Sequence, residues 1–543
     1  MAKKIFNLLY KIIIFLSGIL FLFFAVLSFW ETQTGYVYGK APDDIIPLYK
    51  IHDNPLWHIL AVTSVFLFFL MSDRIHRRKT VLKFSKYHFV FPLAMALIAG
   101  LAALAVVYGG VRHPYGDQAQ LYGAAMYFNE GNYIQLSPGG YLDLYPHQLG
   151  YVLYLQTLFR FTGSTSYYLV QIINCFFIAG ILWRVYTLAK CITEKVAPWI
   201  AAVLFAALTL SLPLYASFIY GDIPSIFFSL GFIRRIMQIV RSFHASPTQE
   251  KGRTLPYVLA FADITLAILF KKNAEILLIA AVLTLLFLLV YARITGRSKS
   301  SLHMVIFLFF LCVTPVLAPR LVHAHYSHLS GYSVSGGLPS VSWVAMGTIE
   351  DGSPGWFNNY PVPVYYSVGF DREQTAERAI EKLKSQFSYF TSHPVYALSF
   401  YKRKIATQWN DPLFNSQINY NVEENAYSPA RLFQDHIYQM SSVLSVVQNM
   451  VYFGVLLYSL SIGKDILKYT KKASYELPST AFIALFFEFF VLGQFFFSII
   501  WEANSRFTIL CYLFMIPMSA TGYSETFSKW ISSMVSIAEN RKI

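Results

Sequence analysis

Six charged residues stand in short polar segments, each close beside a long apolar run of the sequence. They are Asp117, Asp222, the pair Lys271 and Lys272, and Arg506 with Glu502 shortly before it. A carboxylate can act as a general base toward a hydroxyl group, and lysine and arginine side chains bind phosphate. These residue types therefore suit a reaction in which a base takes a proton from one substrate while cations hold a phosphate of another.

Asp117 lies just beyond the apolar run 89–107, in a Gly- and Tyr-rich segment that cannot sit in hydrocarbon. We interpret its carboxylate as a general base that takes a proton from an acceptor hydroxyl. The alternative is that it caps a helix predicted at 118–128. Asp222 sits at a second, very short polar turn, where it is either a second acid of the same site or the cap of the helix that follows.

The cationic residues also have two interpretations each. Lys271 and Lys272 separate two apolar runs, and their side chains either snorkel to lipid headgroups or bind a phosphate. Glu502 and Arg506 are close enough in sequence to form an ion pair within one helix. Alternatively, Arg506 binds a phosphate oxygen and Glu502 orients the guanidinium group.

Other polar residues carry weaker indications. Asp263 and Glu488 lie inside apolar runs, where an acid is either functional or hydrogen-bonded between helices. His323, His325 and His328 lack the spacing and the acid or cysteine partner of a metal site, so we predict no bound metal. The sequence contains no Gly-rich dinucleotide motif, P-loop or zinc-protease motif, and we predict no cofactor.

The composition indicates that a membrane-embedded bundle positions these residues. Hydrophobic residues make up 56% of the 543 residues, charged residues only 13%, and the mean hydropathy is +0.47. This composition is typical of a polytopic membrane protein. The 4 cysteines all lie in or beside apolar runs, which argues against a disulfide framework.

The apolar runs predict an all-α protein with about twelve transmembrane helices. More than half of the 43 Lys and Arg residues fall on one side of the resulting topology. By the positive-inside rule both termini are cytoplasmic, and the basic charge reflects membrane topology rather than a nucleic-acid partner. The predicted spans are residues 9–30, 56–72, 89–110, 166–187, 197–219, 223–242, 255–270, 274–292, 302–319, 441–463, 478–500 and 507–523.

Two long segments connect spans on the predicted outer side. The first carries helices predicted at 118–128 and 148–161, and the second carries helices predicted at 371–390 and 395–409. We divide the chain into two additional N-terminal helices (1–88), a transmembrane core with the first outer loop at 111–166 (89–319), an extracytoplasmic loop domain (320–440), and the C-terminal helices with a cytoplasmic tail (441–543).

Taken together, these residues resemble those of the multi-span glycosyltransferases that use polyprenyl-phosphate sugars. This is the protein O-mannosyltransferase and aminoarabinose-transferase superfamily (glycosyltransferase family 39-like), which has the GT-C fold. The resemblance extends over residues 89–523 and rests on Asp117, Asp222, the Lys271-Lys272 turn, Glu502 with Arg506, and two segments similar to the large-loop signature of that family, Ser342–Gly347 and Gly355–Asn358.

The resemblance implies a role for each residue. Asp117 is the catalytic base, and Asp222 is a second catalytic acid that positions the acceptor or supports the base. Lys271, Lys272 and Arg506 bind the donor phosphate. Glu502, His147 and Tyr145 are supporting residues. The chain departs from the family at Gln118, where protein mannosyltransferases have a second acid.

We therefore predict a plasma-membrane enzyme that transfers a hexosyl or pentosyl group from a polyprenyl-phosphate donor to a hydroxyl group on the extracytoplasmic face. The acceptor is a cell-wall polymer, a lipid or a protein of the cell envelope. A single displacement would invert the anomeric carbon and needs no metal. Two alternatives remain open: a transporter or flippase of lipid-linked glycans, and a glycan polymerase or ligase.

Overall fold

The computed structural model describes residues 2–35, 48–77, 88–110, 113–244, 254–295, 301–334, 336–417, 431–432, 435–471 and 477–540. Four stretches that the predicted topology places between spans on the cytoplasmic side, and the end of the C-terminal tail, lie outside the described residues. They are 78–87, 245–253, 296–299, 472 and 541–543.

The described chain is almost entirely helical, as predicted. Its N-terminal part consists of α1 (Ala2–Trp30), the strands β1 (Glu31–Gly35) and β2 (Leu48–His52), α2 (Pro55–Arg77) and α3 (Val90–Tyr108). The first loop carries α4 (Gly116–Asn129), α5 (Tyr141–Leu144) and α6 (Leu149–Thr162). The antiparallel hairpin of β1 and β2, which pairs Glu31 with His52, was not predicted.

The central part of the chain consists of α7 (Tyr167–Ile192), α8 (Val196–Ala207), α9 (Ser211–Leu214), α10 (Asp222–His244), α11 (Thr254–Phe270), α12 (Ala274–Ile294) and α13 (Ser301–Ser330). The large loop carries α14 (Ser340–Met346), β3 (Glu350–Asp351), β4 (Ser353–Pro354), α15 (Pro361–Ser367), α16 (Arg372–Ser392) and α17 (Pro394–Trp409). The chain continues with α18 (Ile437–Lys471), α19 (Ser479–Ile500) and α20 (Ile509–Asn540).

Nine helices of the described chain are long and apolar enough to cross a membrane, which makes this a polytopic membrane protein. The predicted span 197–219 is broken instead: α8 and the segment Ser211–Ser217 meet at an angle of 46°. The predicted span 255–270 corresponds to α11, a shorter apolar helix of 17 residues. The last predicted span falls within α20, which is not among the nine, so the count of twelve stays a prediction.

Aromatic side chains fill much of the core between the helices. Trp409 is fully buried and stacks on Phe24, with the ring centroids 4.4 Å apart. This contact attaches the end of α17, which belongs to the large loop, to the first helix of the chain. The helices pack mainly in the pairs α18 with α20, α1 with α18, α3 with α7, and α10 with α11.

The loop helices match all four of the sequence predictions. The helices predicted at 118–128, 148–161, 371–390 and 395–409 are α4, α6, α16 and α17. Asp371 caps α16, since its carboxylate accepts hydrogen bonds from the backbone N–H groups of Glu373 (2.8 Å) and Gln374 (3.0 Å).

Two of the alternative interpretations from the sequence are wrong. Asp117 does not cap α4, because the helix begins at Gly116 after Tyr115 and Asp117 lies within the first turn. Glu502 and Arg506 do not share a helix either. The helix α19 ends at Ile500, and a short 3₁₀ turn begins only at Ser505, because the side chain of Asn504 caps that turn.

Candidate active site

The turns that begin α10 and α12 meet at one end of the bundle through an ion pair. Lys271 Nζ lies 3.1 Å from Asp222 Oδ1 and 3.2 Å from Oδ2, and the two side chains are 13% and 6% exposed. Gly221 makes the approach possible: its φ is +80°, and a Cβ there would lie 2.4 Å from the carbonyl oxygen of Phe270. Lys271 therefore points into the protein and does not snorkel, whereas Lys272 is exposed.

Arg506 joins this pair from the turn between α19 and α20. Its Nε is buried without a hydrogen-bond partner and lies 3.8 Å from Asp222 Oδ1. Its guanidinium carbon lies 5.1 Å from the centroid of the Tyr220 ring and 5.7 Å from that of Phe507. Burial, and then the charge of Arg506, lowers the pKa of Lys271 to about 8. The two cations thus share one carboxylate.

Tyr220 connects this cationic cluster with the first outer loop. Lys271 Nζ lies 4.6 Å from the centroid of its ring, a cation–π contact. On the other side, its hydroxyl group lies 3.2 Å from that of Tyr141 in α5. Burial, and then the negative charge of Asp117, raises the pKa of Tyr220 well above its usual value. Tyr220 therefore contacts Lys271 and lies within electrostatic reach of the Asp117 carboxylate.

Asp117 itself is exposed to solvent in the first turn of α4. Its charge acts on two neighbouring tyrosines. Burial is the largest cause that raises the pKa of Tyr141 and Tyr145, and the negative charge of Asp117 contributes to the increase in both. The next residue holds this helix in place. Gln118 is buried, and its Oε1 accepts hydrogen bonds from the hydroxyl group of Tyr167 and the backbone N–H of Ile219, both at 2.8 Å. These two hydrogen bonds connect the start of α4, which carries Asp117, to α7 and to the segment just before Tyr220.

Glu502 is buried close to the same group of charges. Asn504 Nδ2 donates to its Oε1 at 3.1 Å. Burial raises the pKa of Glu502, while Asn504, Arg506 and Lys271 oppose that change. The side chain thus lies within electrostatic reach of both cations and, like Tyr145, of Asp117.

The large loop closes over the Glu502 segment through two glycines. The backbone N–H of Ala503 donates to the carbonyl oxygen of Gly355 at 2.7 Å. Gly355 has a φ of +69°, and a Cβ there would lie 2.7 Å from the carbonyl oxygen of Gly347. Gly347 in turn packs on Trp501, whose ring stacks with Trp343 at 6.3 Å between centroids. The two segments of the predicted large-loop signature therefore meet at the 501–503 segment.

Tyr145 and His147 lie on the same side of the site. The Tyr145 ring is 5.9 Å from that of Trp343 and 6.3 Å from that of His147. The His147 side chain is accessible to water yet surrounded by protein. These surroundings, and then Lys272 and Lys271, lower the pKa of His147 to about 3, so the imidazole is neutral at physiological pH.

Sequence reasoning missed Asp411, although this residue is fully buried beside the site. Its carboxylate accepts hydrogen bonds from Ser505 Oγ (2.6 Å) and from the backbone N–H of Asn415 (2.9 Å) and Leu413 (3.0 Å). Burial nevertheless raises its pKa to about 6. Asp411 thus attaches the end of α17 to the turn that carries Arg506. The sequence signal is the pair Asp411-Pro412, which follows the helix predicted at 395–409 and is typical of a helix stop.

Lys404 was missed as well. It is fully buried in α17, and its Nζ donates to the carbonyl oxygen of Gly347. Burial lowers its pKa to about 7, with Glu502 opposing that change. A lysine at this place adds a third buried cation next to the 501–503 segment.

A small cavity of about 30 Å³ lies beneath the cationic cluster, enough for a water molecule. Both cations and Asp222 line it, together with the apolar side chains of Ile226 and Leu510. Among the polar atoms of its lining residues, Asn273 Nδ2, Gln494 Nε2 and Arg506 Nε are buried without hydrogen-bond partners. The cavity therefore offers buried donors and two positive charges.

The remaining candidates lie elsewhere. Asp263 is 3.7 Å from Arg184 within the helix bundle, and Glu488 is buried in α19 with neither oxygen hydrogen-bonded. His323 Nε2 lies 3.2 Å from the carbonyl oxygen of Pro146. Within the described ranges, no three His, Cys, Asp or Glu side chains come together in a way that could hold a metal ion.

No protein-family model and no curated protein matches the chain. Two solved structures of the oligosaccharyltransferase of Archaeoglobus fulgidus align with it. The first is AglB in complex with an inhibitory peptide and a dolichol-phosphate, at 12% identity and a TM-score of 0.39 over 85% of this chain. The second is the apo form, at 11% identity and a TM-score of 0.40 over 86%. The chain spans about half of the length of each of these proteins, 52%. A structural similarity at this level carries no argument about function.

Proposed function

We propose that this protein is a GT-C-type membrane glycosyltransferase that moves a sugar from a polyprenyl-phosphate donor to an acceptor hydroxyl on the outer face of the plasma membrane. One observation carries the proposal: the buried cations Lys271 and Arg506 contact the ring of Tyr220, and the exposed carboxylate of Asp117 lies within electrostatic reach of the same residue. A base open to water and buried cations nearby are what transfer from a phosphate leaving group requires.

The donor phosphate binds at Lys271 and Arg506. Asp222 keeps the two cations in place before the donor arrives, and burial strengthens their attraction for a phosphate because the surroundings have a low dielectric constant. The apolar side chains of Ile226 and Leu510 beside them suit a donor whose lipid chain lies along the helices. Lys272, on the exposed side of the same turn, adds to the positive potential that attracts the donor.

The acceptor enters from the water-exposed side. Its hydroxyl oxygen attacks the anomeric carbon while Asp117 takes the proton, and the bond between that carbon and the phosphate oxygen breaks. The polyprenyl phosphate leaves with the negative charge, which Lys271 and Arg506 stabilise. One displacement inverts the anomeric carbon, and the proposal requires neither a metal nor a cofactor.

Five residues support this arrangement. Tyr145, with Trp343 and Trp501, forms an aromatic surface beside the site that can pack against a sugar ring. Neutral His147 can accept or donate a hydrogen bond on the side of Lys272. Glu502, near both cations, helps to orient Arg506.

The charged groups favour an enzyme over a transporter. A flippase for a lipid-linked glycan needs polar residues along its path through the membrane. Among the described residues, Asp222, Lys271 and Arg506 instead gather at one end of the helices, where α10, α12 and α20 begin. A polymerase or ligase would use the same donor and differ only in its acceptor.

Mass spectrometry of lipid-linked sugars and envelope glycans in a deletion strain tests the proposal. We expect one polyprenyl-phosphate sugar to accumulate and one decoration to disappear, which identifies both donor and acceptor. An unchanged donor pool with a complete set of glycans would contradict the proposal. Accumulation of a complete lipid-linked glycan on the cytoplasmic side would indicate a flippase instead.

A further inference from the structure

A second cavity lies between α3, α7 and α10, toward the ends of these helices that are farthest from the candidate active site. Its volume is about 510 Å³. It begins near the start of α3, at Leu93 and Leu97, and reaches Arg184 in α7 and Arg234 and Arg235 in α10. The arginines lie two to three turns from the ends of their helices. By the predicted orientation, the arginines lie in the cytoplasmic half of the membrane, on the side of the inner leaflet.

Arg184 is held firmly in the wall of this cavity. Its Nη1 donates to the carbonyl oxygen of Phe227 at 2.8 Å, and its guanidinium carbon lies 3.6 Å from the centroid of the Phe227 ring. Asp263 Oδ1 is 3.7 Å from Nη1. Gly231 leaves the space for this arrangement, since a Cβ there would lie only 1.6 Å from Nη1. Arg184 is therefore a fixed cation of the cavity wall.

Arg234 and Arg235 bring a surplus of positive charge. The Nε of each is buried without a hydrogen-bond partner, although Arg235 also donates to Gln238 at 3.2 Å. All three arginines act electrostatically on the single carboxylate of Asp263. Because three guanidinium groups share one carboxylate, the described part of the chain leaves this cavity with unbalanced charge and unused donors. An anion is the missing partner.

The other wall is apolar and open to the lipid. Leu93, Leu97 and Phe176 line the cavity and are 42%, 58% and 73% exposed, whereas Ala96 and Ala179 keep the groove between α3 and α7 narrow. An inorganic anion would use only the arginines. A phospholipid would use both walls, with its acyl chains along the leucines and its phosphate against the guanidinium groups.

We propose that this cavity binds an anionic phospholipid of the inner leaflet, with the lipid phosphate between Arg234, Arg235 and Arg184. This site is separate from the donor site and does not depend on the proposed function, because it is built from different residues of α10 and lies farther along the helices. It would attach the protein to a lipid of defined charge and support the packing of α7 on α3 and α10.

Native mass spectrometry of the full chain, released from nanodiscs, tests the proposal. The wild type should retain phosphatidylglycerol and not phosphatidylcholine. The double variant Arg234→Gln/Arg235→Gln should bind phosphatidylglycerol about ten- to thirtyfold more weakly, as expected for the loss of two cations next to a phosphate. Arg293→Gln, which removes an exposed charge at the end of α12, is the matched control and should bind as the wild type does.

Several outcomes would overturn the proposal. One is equal retention of the two lipids by the wild type, a comparison that decides the matter even if the double variant does not fold. Another is undiminished binding of phosphatidylglycerol by a folded double variant. A third is an equal loss in Arg293→Gln, which would indicate general surface charge. Displacement of the lipid by millimolar inorganic phosphate would identify a free-anion site instead.

Discussion

Lys271 contacts both carboxylate oxygens of Asp222, at 3.1 and 3.2 Å, across 49 positions of the sequence. The pair is almost completely buried and lies beside Arg506. An acid that holds two cations in this way keeps them ready for an anion, and in our proposal the donor phosphate shares these cations with Asp222. In our proposal Asp222 therefore belongs with the residues that bind the phosphate, Lys271 and Arg506.

Replacement of Lys271 should weaken the donor site most. Lys271→Gln removes a buried cation and leaves Asp222 with only Arg506, so we expect kcat/KM for the donor to fall about ten- to hundredfold, the effect of one charge-assisted hydrogen bond. Lys272→Gln should lose less than about threefold, because an exposed charge is screened by water. Steady-state kinetics with purified protein measures both.

Lys384→Gln, an exposed lysine of α16 far from the site in sequence, is the charge control. Equal losses in Lys271→Gln and Lys272→Gln would show that burial and the ion pair with Asp222 are irrelevant to donor binding. The double variant Lys271→Gln/Lys272→Gln should show the largest loss.

The pH profile should report the charge of Lys271. Burial lowers its pKa to about 8, so the free enzyme loses this positive charge as the pH rises through about 8, and kcat/KM for the donor should fall above that pH. Arginine stays protonated at every pH used. The variant Lys271→Arg should therefore keep its activity to higher pH.

A fall in activity at the same pH in Lys271→Arg would contradict this assignment. A fall near pH 7 in both proteins would point to Lys404, whose pKa burial lowers to about 7.

The docking of the large loop should depend on Gly355. Its φ is +69°, and a Cβ would meet both the carbonyl oxygen of Gly347 and the Lys404 side chain within 3 Å. Gly355→Ala should therefore cost about 2–4 kcal/mol, from strain in the left-handed region and from overlap. Gly369→Ala is the matched control: its φ is +64° with no atom within 4 Å of the Cβ position, and it should cost only about 1 kcal/mol.

Thermal unfolding in detergent and limited proteolysis of the loop measure the difference between the two variants. Equal midpoints for Gly355→Ala and Gly369→Ala would show that the contact between the loop and the 501–503 segment does not contribute to stability.

Much of the fold follows from the sequence because a membrane helix needs about twenty apolar residues, a signal that requires no knowledge of packing. The breaks are harder to predict: the segment between α8 and α9 is as apolar as a continuous span, and tertiary packing decides that it bends. The hairpin of β1 and β2 has too few residues to give a pattern.

The site was predictable only in part. Every second turn between membrane helices lies at the same end of the bundle, so charged residues in such turns can meet there. This is where Asp222, Lys271 and Arg506 come together. Their pairing is a matter of tertiary geometry. Asp411 reaches Ser505 across 94 positions, and no local pattern separates such a residue from an ordinary helix stop. In the sequence, Gln118 stands where the resembling family has a second acid. The structure shows that its side-chain oxygen accepts hydrogen bonds from Tyr167 and Ile219.

In the proposed reaction, Asp117 removes the proton of an acceptor hydroxyl while a polyprenyl phosphate leaves. Asp117→Asn keeps the size of the side chain but not its basicity, and the residue is exposed, so the variant should fold normally. Glu130→Gln, an exposed acid just beyond the end of α4, is the matched control.

The decisive measurement is the release of polyprenyl phosphate, followed by mass spectrometry, from polyprenyl-phosphate sugars supplied to purified protein together with envelope acceptors. We predict release by the wild type and by Glu130→Gln, and a rate about 10²–10⁴-fold lower in Asp117→Asn, the usual contribution of a general base. Full activity of Asp117→Asn, or no release by the wild type with any donor, would contradict the account.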